Sequence, residues 1–187
     1  MQHYTKIVNR EHPLDAFYIP KDLVVCDFPF CAEPWEEKRQ LCAAPADAAG
    51  RLLEYGKSFG HQLSGVSGYR SYDRQTQIYQ QRLKESPAEE VDRYVAKPGS
   101  SEHQTGLALD VSSPGVNYEL EEVFGETAEG KWLAVYAPMF GFVVRYPKGK
   151  EKITGYAYEP WHIRYVGKSL SLYLALTGLT LDEYHQI

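Results

Sequence analysis

Residues 101–112 read Ser-Glu-His-Gln-Thr-Gly-Leu-Ala-Leu-Asp-Val-Ser. Leu107, Leu109 and Val111 alternate there with Ala108, Asp110 and Ser112, the period-two pattern of a strand. The Ala96–Glu102 stretch before it, with Pro98 and Gly99, reads as a loop, and Gly106 lets the backbone turn sharply into the strand. Working outward, His61–Gly68, Phe142–Arg145 and Trp161–Val166 read as further strands. Helical spacing separates them. Pro45 suits a first turn, and Ala49, Leu52, Leu53 and Gly56 then predict a helix over roughly 45–58. Asp73–Lys84 is a second helix, with Ile78, Tyr79 and Leu83 as its apolar stripe and Pro87 as its stop. Lys131–Pro138, ended by Gly141, and Leu170–Leu176 are two more. Helices and short strands without a βαβ rhythm predict an α+β fold with a mostly antiparallel sheet.

The chain has 187 residues, enough for one domain with a core that needs no staples. Its 43% hydrophobic and 24% charged residues exclude a disordered, collagenous or disulfide-dense chain. A net charge of −5 argues against a nucleic-acid backbone as partner. No apolar run approaches the roughly 18 residues of a membrane span. Met1–Lys6 lacks the apolar core of a signal peptide, which leaves a cytoplasmic protein or the mature part of an exported one. Residues 1–34, rich in proline and aromatics, read as an extended arm packed on a domain of residues 35–187. Cys26, Cys31 and Cys42 read as small hydrophobes, with a Cys26–Cys31 disulfide as the alternative in an exported form. Monomer is the default state.

Two of the six histidines stand in dense polar–glycine contexts: His103 in 101–110, and His162 in Tyr158-Glu159-Pro160-Trp161-His162-Ile163-Arg164-Tyr165. Catalytic zinc takes three protein ligands of nitrogen, oxygen or sulfur type and leaves a fourth position to water. His103, Asp110 and His162 would supply such a set. In an unbroken strand Glu159 and His162 would point to opposite faces. Pro160 argues for a turn that brings them to one site, with Glu159 free to act as general base. Either motif alone would read as a satisfied polar cluster. Together, with Arg70 in Ser67-Gly68-Tyr69-Arg70-Ser71, they point to a metal hydrolase. There is no His-Glu-x-x-His helix, no Gly-x-Ser-x-Gly elbow and no glycine-rich phosphate loop. Arg164 reads as structural, Trp161 as pocket wall or core, and His61 and His185 as surface or capping residues.

At these residues the sequence resembles the VanY-like D-alanyl-D-alanine carboxypeptidases, a group that includes L,D-carboxypeptidases of bacterial cell-wall metabolism. The signature Ser-x-His-x-x-Gly-x-Ala-x-Asp followed by Glu-x-x-His is complete, at Ser101–Asp110 and Glu159–His162. Ile7–Leu14, Ser67–Gln75 and Arg164–Gly167 extend the likeness. The resemblance implies a small hedgehog/D,D-peptidase-like α+β domain with a central antiparallel sheet. It implies zinc held by His103, Asp110 and His162, with Glu159 as catalytic base. Arg70 would lie near the scissile carbonyl or terminal carboxylate, and Ser101 and Gln75 would help hold the peptide end. The implied substrate is a peptidoglycan stem peptide losing its C-terminal D-alanine, D,D or L,D, outside the cytoplasm. The same site would also serve a D-Ala-D-Ala dipeptidase, an endopeptidase or, with a degenerate zinc site, a non-catalytic wall-peptide-binding module.

Overall fold

The structure is a computed structural model that describes residues 4–186; Met1, Gln2 and His3, where the reading of the extreme N-terminus begins, lie outside it. A four-stranded antiparallel sheet carries the site. Its strands are β3 (Ser64–Ser67), β4 (Ala108–Ser112), β5 (Phe142–Tyr146) and β6 (Glu159–Tyr165), in the order β3-β4-β6-β5. Two further short strands, β1 (Leu23–Val25) and β2 (Gln40–Cys42), pair antiparallel beside it. This α+β architecture is the one expected from the alternation of short strands with helices.

Every residue of β4 is buried, so both faces of this strand are covered. Leu109 and Val111 point into the main core with Phe142, Trp161 and Ile163. The helix α1 (Ala43–Ser58) closes that core with Ala46, Ala49, Leu52 and Leu53. Pro45 sits in its first turn, where a missing N–H costs no intrahelical bond. The α4 helix (Ala128–Tyr136), continued by a 3-10 turn over Ala137–Phe140, adds Trp132, Leu133 and Ala137. Gly141 ends it at φ 95°, a left-handed conformation that favours glycine.

Three elements differ from expectation. In α2 (Tyr72–Glu85) the buried residue is Gln75; Ile78 and Tyr79 are half-buried and Leu83 is exposed, because this helix walls a cleft and does not close the core. Past Pro87 the chain forms a further helix, α3 (Ala88–Tyr94), with Pro87 as its N-cap. The third difference is at Pro160, where no turn forms and β6 runs through the proline from Glu159. The register supplies what a turn would have done. Val144 pairs with Ile163 and Tyr146 with Glu159, so two steps along β5 span four along β6. This bulge rotates Glu159 onto the face that carries His162.

Segment 4–34 runs across the domain in mostly irregular conformation, with Val8, Leu14, Cys26 and Phe28 buried. It is held largely through backbone groups: Leu14 N–H donates to Gly99 O, and Gln104 donates to the Asp15 and Tyr18 carbonyls. Its strand β1 pairs with β2, which lies past residue 35. All three cysteines are free thiols, Cys26 and Cys42 buried. The chain closes with α5 (Glu151–Thr154), α6 (Lys168–Thr177) and α7 (Leu181–Tyr184). Among the described residues no helix is long and apolar enough to cross a membrane.

Candidate active site

On the sheet face opposite the main core, Asp110 of β4 and His162 of β6 are directly paired across strands, and Ser67 of β3 pairs with Asp110. Cross-strand partners share a face, so the register brings Asp110 and His162 together. His103 arrives from a 3-10 turn, Glu102–Thr105, that ends at Gly106 with φ 68°. A Cβ at Gly106 would also lie 2.8 Å from Cys42 Sγ, so the turn leaves no room for a larger residue.

His103, Asp110 and His162 are buried, and their donor atoms all lie within 4.8 Å of one another. His103 Nδ1 is 2.7 Å from Gly68 O and donates to it, which leaves the Nε2 lone pair facing Asp110 Oδ2 at 3.3 Å. His162 Nδ1 lies 3.1 Å from Asp110 Oδ1, yet that carboxylate oxygen is buried without a hydrogen bond. An orphaned carboxylate oxygen between two imidazole donors fits a cation, and the N₂O donor set suits zinc.

Glu159 stands beside this group and outside it, its Oε2 3.7 Å from His162 Nδ1. Burial pushes its carboxyl up to about 8 against the pull of His162. Burial would lower His162, but the carboxylates of Asp110 and Glu102 beside it outweigh that and hold the imidazole up at about 9. Burial opposes the charge on Asp110 too, yet the two histidines keep it well below the ordinary carboxylate range.

Arg70 reaches the same space: its guanidinium donates to Gln75 Oε1 at 2.9 Å and Ser67 Oγ at 3.1 Å and lies 3.9 Å from Asp110 Oδ2. Gln75, 1% exposed, also donates to Ala96 O, so both ends of its amide are engaged and its contact with the site runs through Arg70. Ser101 is buried at the cleft wall. All seven residues singled out in the sequence thus line one cleft of about 540 Å³, which extends between α2–α3 (Ile78, Arg82, Tyr94) and residues 120–122. Trp161 serves both as core residue and as cleft wall.

Glu102 was not among the residues anticipated. Its side chain is fully buried; Oε1 accepts from Arg145 at 2.8 Å and from Arg164 at 2.7 Å, and Arg145 continues to Asp182. Removing one member of a buried ionic cluster typically costs about 3–5 kcal/mol because a charge is stranded. A sequence signal existed: Arg145 and Arg164 each interrupt an apolar strand, where an arginine is buried only with a partner.

Gly68 ties the frame to the site. A Cβ there would lie 2.3 Å from Gln40 O and 3.0 Å from Lys38 O, both backbone atoms, while Gly68 O is the acceptor for His103. Gly68→Ala is therefore expected to destabilise the fold by about 1–3 kcal/mol, the usual range for overpacking. Thermal or urea unfolding checks it; an unchanged midpoint would show that the loop has slack.

Comparison with known proteins agrees with this geometry. Residues 38–168 match the family model described as VanY, D-alanyl-D-alanine carboxypeptidase. The Bacillus subtilis (strain 168) protein YodJ is 46% identical over 180 residues, which are 96% of this chain and 66% of YodJ. The chain therefore spans just under two thirds of that relative's length. The solved structure of the LdcB LD-carboxypeptidase superimposes with a TM-score of 0.92 at 44% identity, covering 100% of this chain and 88% of that one. A mutant of the D,D-pentapeptidase VanY, solved in complex with Zn(II), superimposes with a TM-score of 0.80 at 29% identity, covering 98% and 99%. With the signature residues assembled on one sheet face and most of the chain matched, this protein belongs to the VanY family of D-alanyl-D-alanine carboxypeptidases.

Proposed function

We propose that this chain is a zinc-dependent carboxypeptidase that removes the C-terminal D-alanine from peptidoglycan stem peptides, and so acts in the cell envelope. The observation that carries the proposal is the buried His103–Asp110–His162 donor group with Glu159 standing beside it as a non-ligand. The three donors would hold zinc, which when bound supplies Lewis acidity and brings a water's pKa to roughly 7. Glu159 takes the proton from the attacking water as its oxygen adds to the amide carbonyl. Breakage of the C–N bond then lets Glu159 return that proton to the leaving D-alanine nitrogen. Arg70, held in place by Gln75 and Ser67, offers its remaining N–H donors to the developing oxyanion or the terminal carboxylate. A cleft continuing past the site between α2–α3 and residues 120–122 suits the rest of a peptide stem. Every group named comes from one chain, so a monomer is sufficient.

The test is mass spectrometry of defined penta- and tetrapeptide stems incubated with the protein. Loss of one D-alanine is expected; the pentapeptide product reports D,D cleavage and the tetrapeptide product L,D cleavage. Removal of metal by a chelator abolishes turnover and zinc restores it. His103→Ala, which leaves two of three donors, fails to regain it. Intact stems in the presence of zinc, or undiminished cleavage without metal, would overturn the proposal.

A further inference from the structure

Two histidines of the metal group face it through different nitrogens. For His103 the reason is plain, since its Nδ1–H donates to Gly68 O. For His162 the nitrogen on the side of Asp110 and Glu159 is Nδ1, at 3.1 Å and 3.7 Å. Its other nitrogen, Nε2, is buried without a hydrogen bond and lies 3.6 Å from Glu102 Oε2, which is equally unpartnered. Two orphaned buried atoms, a ring nitrogen and a carboxylate oxygen, thus face each other just beyond hydrogen-bond distance.

Glu102 cannot turn away. Its other oxygen holds two guanidinium donors, Arg145 Nε and Arg164 Nη1. Arg145 is pinned by a fork of bonds to Asp182, and Arg164 by the carbonyls of Tyr4 and Lys6. The free Oε2 is therefore fixed in direction by a frame that spans the chain from its first residues to α7.

We propose that Glu102 is the positioning residue of His162: its free oxygen accepts a hydrogen bond from Nε2–H and so presents the Nδ1 lone pair to the metal. The inference rests on the metal-site reading above. Carboxylates that receive the distal N–H of a metal-bound histidine fix its tautomer and ring plane. A glutamine at 102 does the opposite. The two arginine donors claim its amide oxygen, so its NH₂ faces His162 Nε2. That nitrogen must then accept, and Nδ1 carries a proton where a lone pair is needed.

The experiment uses the zinc-loaded protein with ¹⁵N-labelled histidine. NMR of the wild type is expected to show His162 with zinc on Nδ1 and a proton on Nε2; zinc on Nε2 overturns the proposal. Chelator competition then measures zinc affinity in two variants. Glu102→Gln is expected to bind zinc about 10–100-fold more weakly, the usual cost of losing such a partner. Asp182→Asn weakens the same ionic cluster away from His162 and is expected to keep the wild-type affinity. Equal affinity of Glu102→Gln and wild type, or an equal loss in Asp182→Asn, assigns Glu102 to the fold and overturns the inference. Should Glu102→Gln fail to fold, the wild-type spectrum alone decides. A wild type that takes up no zinc overturns the metal-site reading before any variant is compared.

Discussion

Glu159→Gln is expected to keep its zinc and lose turnover by about 10²–10⁴-fold, the range for a general acid–base residue. The residue is 6% exposed and lies outside the three-donor group, so an amide of the same shape disturbs neither packing nor ligation. What it removes is an oxygen that can accept and return a proton. The carboxyl is well placed for that traffic, because it lies buried against the three-donor group, its Oε2 3.7 Å from His162 Nδ1. Metal content by elemental analysis and kcat on a stem peptide check the two halves separately. If zinc and activity fall together, Glu159 is a ligand and the assignment of roles is wrong.

Arg70→Lys is expected to keep fold and zinc content while kcat/KM falls by about 10²–10³-fold, as when an oxyanion donor is lost. Arg70 is fixed by Gln75 Oε1 and Ser67 Oγ, and a planar guanidinium can meet both while still offering donors to a carboxylate. A lysine ammonium satisfies at most part of that geometry. Amidating the terminal D-alanine of the peptide removes the charge Arg70 would read, and turnover is expected to drop sharply. Equal cleavage of amide and free acid would make an endopeptidase the better reading.

The contrast between Asp110 and Glu102 shows what a sequence makes visible. Asp110 follows His103 within one motif, and the alternation through Leu109 and Val111 already assigns its face. Glu102 sits one residue before His103, but its partners Arg145, Arg164 and Asp182 are brought to it only by the sheet and the C-terminal helix. Local periodicity carries no record of such pairings. Pro160 misleads for a related reason. A proline near a strand's start costs little, and the register shift that rotates Glu159 depends on the partner strand β5, which no window around residue 160 contains. The brief strands β1 and β2, three residues each, are likewise defined by pairing with each other more than by their own composition.

Arg164 fastens the beginning of the chain to the strand that carries His162, through bonds to Lys6 O and Tyr4 O across 158 and 160 residues. His185 reaches back further still, to Thr5 O. During synthesis, at about 5–20 residues per second, the first residues therefore wait on the order of 10–30 s before these partners exist. The metal group completes only when β6 is made, so a nascent chain carries an unfinished site until His162 has been added. A ribosome that stalls before residue 162 leaves a product unable to assemble the three-donor group.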